Sequence, residues 1–312
     1  MSSLSVSAVV FAHAPYAKYL AGCLECILGQ SHPPIEVVIL SDGSNEIAGI
    51  VASFPGNDAL SLVGQGEGHF FLALNRVAEN CRGECLALMD SDDFYNQDHL
   101  KSLVDLFECY PDTGLAFDNV EYFEDSKGSG TNARDCKPAE KDLLIATAEA
   151  KMLASRQVSL EDIFVDNLIT GPSSLLRKDA FVRVGGYDRH ALVIGDLHLF
   201  YRIGAYYGIR FADYVGVQKR VHAQSTTGIN PHYEYGINGL ESIRNNYPEV
   251  YQRIGSRVFG RKLARKYFRA GLFYEKHGDI ATAREAYKKA MILRKFSLRY
   301  GWEYCRTTFF KS

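Results

Sequence analysis

The chain has 312 residues, of which 46% are hydrophobic, 23% charged and 12% aromatic. That composition excludes a disordered or collagen-like chain, and no apolar run reaches the ~18–20 residues of a membrane-crossing helix. The net charge of −2 hides an asymmetry: residues 251–312 carry 16 Lys+Arg against 4 Asp+Glu, and residues 1–250 carry 19 against 33.

The first part alternates strand and helix signals. Ser5–Phe11 is an apolar run without the basic start of a secretion signal, Ala17–Leu28 has helical periodicity, and Ile35–Leu40 is a β-branched run. Leu60–Val63 predicts a strand, His69–Asn80 a helix, and Glu84–Met89 another strand. This alternation predicts an α/β fold with a mainly parallel sheet covered by helices, whose ligands sit at the carboxyl ends of the strands. Two of those ends carry acids, Asp42 and the run Asp90-Ser91-Asp92-Asp93. The polar stretch Glu124–Lys141 predicts a mobile loop, Asp142–Arg156 a helix, Gly171–Leu176 a strand, Asp196–Tyr207 a helix and Ile209–Val221 one or two strands.

Residues 1–230 are expected to form one domain and residues 231–312 a basic helical region. In the latter, Ala264, Gly271, Tyr274, Ala283, Tyr287 and Ala290 have the spacing of a single tetratricopeptide-like helical hairpin, with its turn at Gly278-Asp279.

Acids after a buried strand suggest a divalent cation, because Mg²⁺ takes one or two protein carboxylates and completes its shell with phosphate oxygens. By its own pattern, Asp42 before Gly43-Ser44 can cap its turn. The pairs Cys23/Cys26 and Cys81/Cys85 raise zinc, but small buried hydrophobes are the commoner use of free cysteine.

Several segments, in order, resemble the family 2 glycosyltransferases with a GT-A, Rossmann-like fold. Val37–Ser44 is similar to V-V-D-D-G-S with Ser41 in place of the first aspartate, and Ala73–Arg76 is similar to A-R-N-x-G. Asp90–Asp93 is similar to D-x-D-D, Gly185–Asp188 to G-G-[FY]-D, and Gly195–Leu199 to E-D-x-D-L with Gly195 and His198 in place of two acids. The resemblance implies transfer of a sugar from a nucleotide-sugar, expected to be UDP-linked, to a saccharide or lipid-linked saccharide acceptor, with inversion and with Mg²⁺ or Mn²⁺. It implies that Ala12, His13, Asp42, Asn75, Asp90 and Ser91 bind the nucleotide, that Asp92 and His222 hold the metal, and that Asp196 is the base. A nucleotidyltransferase would be expected to follow its first strand with a Gly-rich basic loop, where this chain has Ala12-His13-Ala14-Pro15-Tyr16. A non-catalytic binding module would not need Asp42, Asp92 and Asp196 together.

In the tail, Arg253, Arg257, Arg261, Lys262, Arg265, Lys266 and Arg269 recur every three to four residues, and aromatic residues follow. Basic and aromatic residues together suit an anionic membrane surface, so a cytoplasmic enzyme touching the inner face of the membrane is expected. A face docking on the acidic part of the chain is the alternative, and no nucleic-acid partner is expected, because no binding motif accompanies the charge.

Overall fold

Four apolar runs pair as parallel strands: β1 (Val6–Ala12), β2 (Glu36–Ser41), β3 (Leu60–Gly64) and β4 (Cys85–Asp90), in the spatial order β3-β2-β1-β4. The computed structural model describes residues 3–54, 58–64, 66, 69–124, 137–138, 157–221, 233–294 and 297–309. β1 is buried along its whole length, as a strand covered on both faces must be. One cover is α1 (Ala17–Leu28), which turns Ala17, Leu20, Cys23, Leu24 and Ile27 toward the core, the spacing of one helical face. α2 (Asn45–Ser53) and α3 (Phe70–Asn80) follow β2 and β3.

Beyond β4 the sheet becomes mixed. It continues through β9 (Ser174–Arg177), β6 (Thr113–Glu124), β10 (Gly208–Val221) and β5 (Phe94–Tyr95). β9 runs antiparallel to both β4 and β6, while β6 and β10 are parallel. Two short strands sit off this path, β7 (Lys137–Pro138) on β6 and β8 (Gln157–Val158) on β10. α4 (His99–Cys109) packs on β6 and β10, and α5 (Leu160–Asp166) and α6 (Lys178–Arg183) flank β9 in sequence. The predicted α/β architecture with a mainly parallel sheet is what the chain forms.

Local departures have local causes. The strand predicted from Gly171 starts at Ser174, because the Ser174 N–H and hydroxyl both donate to the Gly171 carbonyl, at 3.1 and 2.7 Å, and close a turn. Ile209–Val221 is one strand, bent where its pairing with β6 shifts between Phe211 and Val217. The predicted loop Glu124–Lys141, apart from its ends and Lys137–Pro138, and the predicted helix Asp142–Arg156 lie outside the described residues.

Under the sheet, His99 Nδ1 and Asp118 Oδ2 lie 2.7 Å apart and both side chains are fully buried. Gly216 of β10 passes so close that a Cβ there would overlap both groups. Burial pushes the Asp118 carboxyl up to about 6, against the pull of His99.

The chain divides into two compact units, Met1–Asp188 with Leu199–Ile229, and Arg189–His198 with Asn230–Ser312. α7 (Gly195–Tyr206) contributes to both. The second unit also holds α8 (Tyr233–Asn246), α9 (Pro248–Ile254), α10 (Ser256–Lys276), α11 (Ile280–Leu293) and α12 (Leu298–Phe309). α10 and α11 are the predicted hairpin: Ala264, Ala283, Tyr287 and Ala290 form its core, and Gly271 leaves the space that the Tyr287 ring fills. Gly278 makes the turn at φ +84°. The predicted basic stripe is shorter than its spacing implied. Gly255, at φ +86°, separates α9 from α10, so Arg253 stands on a different helix from the rest. Among the described residues, no helix is long and apolar enough to cross a membrane.

Candidate active site

The order β3-β2-β1-β4 reverses at β1, which opens a crevice at the carboxyl ends of β1 and β4. Register brings the predicted residues there: Ala12 pairs with Ser41, and Phe11 with Asp90. Asp42 follows β2 and reaches two ways. Its Oδ1 accepts from the Ser44 N–H at 3.1 Å, as an Asx cap does, and its Oδ2 accepts from the Ala14 N–H at 2.8 Å. It therefore ties the loop after β2 to the loop after β1.

His13, next after β1, is half-buried, with its ring centroid 4.0 Å from that of Phe70. Burial holds its pKa below the ordinary value, and the negative charges of Asp42, Asp90 and Asp92 work in the opposite direction. Acids from two separate segments of the sequence thus act on one imidazole. Ser91 donates its N–H to the Phe11 carbonyl at 3.1 Å. Its hydroxyl is buried and has no hydrogen-bond partner among the described residues.

The acidic loop is mounted on β10. Asp93 is buried; its Oδ1 accepts from the Arg220 N–H at 2.8 Å and its Oδ2 from Lys219 Nζ at 2.7 Å. Lys219 also reaches Asp90 Oδ2 at 3.1 Å. Burial works against the Lys219 ammonium, but Asp93 and Asp90 outweigh it and hold its pKa well above the usual range. Burial raises the Asp93 carboxyl, and Lys219 opposes that rise. The Arg220 guanidinium donates to the Asp92 carbonyl at 2.9 Å and lies over the rings of Tyr19, Phe123 and Phe94, at 4.0, 4.8 and 5.3 Å. Lys219 and Arg220 were legible only as basic residues of a late strand. Nothing in their spacing pointed to acids more than a hundred positions earlier.

Asn75 joins two motifs. Its amide donates to the Tyr187 carbonyl at 2.9 Å and its Oδ1 accepts from the Tyr187 N–H at 2.8 Å, which holds the turn Gly185–Asp188. Gly186 has φ +61°, and a Cβ there would overlap the Asn75 side chain. Asp196 stands in the first turn of α7, where the helix dipole favours a carboxylate, and belongs to the second unit. In that unit His198 is fully buried and lies edge-on to Tyr247. His222 lies outside the described residues.

Carboxylate oxygens are the donor type a hard divalent cation takes, although among the described residues no three His, Cys, Asp or Glu side chains come together as a metal site. Asp93 is taken by Lys219 and Arg220, and Lys219 also holds Asp90 Oδ2; the two acids of this loop whose charge acts on His13 are Asp90 and Asp92. That is the number Mg²⁺ commonly takes beside phosphate oxygens. Zinc at the cysteines has no such support, because it binds thiolates. Burial pushes the Cys26 and Cys85 thiols up to about 12 and Cys81 to about 11. A separate cavity between β2, β3 and α3, lined by Glu36, Val63, Arg76 and Cys81 among others, contains none of the predicted site residues.

A mainly parallel sheet that reverses at β1, with acids at the ends of the strands on either side of it, Asp42 and Asp90, is an α/β arrangement that takes a ligand at its strand ends. The model of glycosyl transferase family 2 matches residues 7–182, and the chain belongs to that family. It is 31% identical over 113 residues to glycosyltransferase GlyA of Streptococcus pneumoniae, a match covering 36% of this chain and 16% of that protein. It is 21% identical over 212 residues to the Rickettsia prowazekii glycosyltransferase RP339, covering 68% of this chain and 62% of that one. The chain therefore spans less than two thirds of these relatives. Among solved structures it resembles S. aureus TarS 1–349 in complex with UDP-GlcNAc, with a TM-score of 0.68 at 14% identity, covering 97% and 89% of the two chains. It also resembles the mannosyltransferase PcManGT of Pyrobaculum calidifontis in complex with GDP-Man and Mn²⁺, with a TM-score of 0.59 at 15% identity, covering 99% and 85%. At these identities the likeness is one of fold, and the fold is GT-A.

Proposed function

We propose that this chain transfers a sugar from a nucleotide-sugar, expected to be a UDP-sugar, to a saccharide or lipid-linked saccharide acceptor, with inversion at the anomeric carbon. The observation that carries the reading is that strand register brings Asp42, bonded to the Ala14 N–H, and Asp90, paired with Phe11, to either side of the His13 loop at the β1/β4 crevice. The TarS complexes with UDP and UDP-GlcNAc, and the PcManGT complex with GDP-Man and Mn²⁺, support a nucleotide-sugar donor and a divalent cation.

In this reading Asp42 and the backbone of Ala12 and His13 take the nucleobase, since a uracil N3–H needs an acceptor. Asp90 and Ser91 meet the ribose, and Asn75 acts by holding the Gly185–Asp188 turn. Asp92, with His222, would hold Mg²⁺ or Mn²⁺. When bound, the cation supplies positive charge against the departing nucleoside diphosphate. Lys219 fastens the loop that presents Asp92, and Asp196 accepts the proton of the acceptor hydroxyl as it attacks in line. The reading includes a cytoplasmic enzyme whose basic helices touch the inner face of the membrane.

The test is turnover of a panel of nucleotide-sugars, followed by mass spectrometry, with and without a chelator. Release of a nucleoside diphosphate from one donor, lost on chelation and restored by Mn²⁺ or Mg²⁺, is the expected result. Failure to bind or turn over any nucleotide-sugar would sink the proposal.

A further inference from the structure

α12 has two contrasting sides. One side, Tyr300 and Thr307, is buried, with Tyr300 in the core of the helical hairpin. The other side is Leu298, Trp302, Cys305 and Phe309, spaced four, three and four residues apart, and it forms a single stripe along the helix. Leu298 is 91% exposed, Trp302 61% and Phe309 74%. Large apolar side chains scattered singly need no explanation, but a continuous stripe on one helix face does.

The same unit carries an unneutralised row of cations. Arg257, Arg261, Arg265 and Arg269 follow one another at four-residue intervals along α10, and all are exposed. No Asp or Glu occurs between Val250 and Tyr274. Among the described residues, none of the four pairs with a carboxylate. Like charges four apart on a helix repel. The neighbouring Lys266 registers the crowding: burial lowers its pKa, and Arg269 and Arg265 lower it further. The start of α12 packs on α10 at Phe268, the sequence neighbour of Arg269: Tyr300 stacks on it, with ring centroids 4.6 Å apart, and the Arg299 guanidinium lies 4.9 Å over the same ring.

The geometry points to an anionic lipid surface as the partner of the second unit, with the Leu298–Trp302–Phe309 stripe entering the headgroup region and the Arg257–Arg269 row meeting lipid phosphates. A soluble polyanion would use the arginines and leave the stripe unexplained, whereas a lipid interface uses both. Trp at such a boundary has an apolar body for the lipid and an N–H for the wet side. The inference rests on the membrane contact proposed above and not on the donor chemistry.

Trp302 is the single tryptophan of the chain, so its fluorescence reports this helix alone. The full chain is mixed with phosphatidylcholine vesicles, with and without phosphatidylglycerol, and its emission, its quenching by brominated acyl chains and its co-sedimentation are measured. Binding confined to the phosphatidylglycerol vesicles is expected, with a blue shift, quenching and weakening by salt. Leu298→Glu with Phe309→Glu, at exposed positions that leave the fold intact, should abolish the binding. Each of Arg261→Gln and Arg265→Gln should weaken partitioning by roughly fivefold. Sedimentation without a change in Trp302 emission, or equal binding to neutral vesicles, overturns the inference. So does a copy–copy association, seen by ultracentrifugation, that the Glu variants abolish while vesicles are ignored. UDP calorimetry on the same samples separates failure here from failure of the donor site.

Discussion

Lys219 Nζ lies 2.7 Å from Oδ2 of Asp93, across 126 positions of sequence, and the carboxylate it meets is almost completely buried. The contact makes the acidic loop part of the sheet. A buried charge that loses its counter-charge is costly, while a pair replaced together costs far less. Lys219→Met should therefore destabilise the protein by ~3 kcal/mol in urea unfolding, with much of that recovered in Lys219→Met/Asp93→Asn. Additive losses in the double variant would show that the two side chains do not depend on each other.

Asp92 and Asp93 adjoin in sequence and should behave as opposites. Asp92→Ala is expected to remove the metal-dependent part of UDP binding and leave stability nearly unchanged. Asp93→Asn should lower stability while UDP binding still rises on adding Mn²⁺. Calorimetry with UDP, with and without Mn²⁺, decides the matter, and a metal response that survives in Asp92→Ala would remove this residue from the cation site.

Asp196→Asn should lower kcat by about 10²–10⁴-fold and leave donor Kd within error. An amide keeps the size and the hydrogen bond of the carboxylate but cannot accept the acceptor's proton. Full transfer in this variant, with the true acceptor, would move the base elsewhere. His198 is closed off by its burial, which leaves Asp188 as the next position to substitute.

The buried Asp118 should leave a mark on stability as pH changes. Its carboxyl titrates at about 6 in the fold and near 3.8 when free, so between those values the native state binds more protons than the unfolded chain. Stability from this group is fully present below pH ~4 and is lost as pH rises through ~6. Asp118→Asn can still accept from His99 and has nothing to ionise. Relative to wild type it should gain up to about 2–3 kcal/mol across that window and then stay level. A Tm difference that does not change between pH 4 and 7 would contradict this.

Much of the fold was legible because the strands nearest the crevice are simple. Ser5–Phe11, Ile35–Leu40 and Glu84–Met89 are near-continuous apolar runs, as strands covered on both faces must be, and two of them stop at acids. β6 was not read, because Asp118 and Asn119 interrupt its apolar character and are nonetheless buried. The acids at the crevice could be picked out, since Asp42 and the run Asp90–Asp93 stand at strand ends. The residues that mount them could not: Arg220 among its aromatic rings and Lys219 on Asp93 depend on pairing between β5 and β10, which local pattern does not report. The resemblance gives Asn75 a nucleotide contact, and only the folded chain shows its amide bonded to the Tyr187 backbone.

The mounting of the acidic loop on β10 sets an order of events during synthesis. β1, β2 and β4 are complete once Asp90 has been made, yet Asp93 gains its partners only when Lys219 and Arg220 have left the ribosome. Contacts so distant along the chain form late in folding. A nascent chain stalled between α4 and β10 would carry the acids on an untethered loop, with Asp93 unpaired. Capacity to grip a donor should therefore arise at the last strand of the sheet, well after the half of the sheet that supplies the acids.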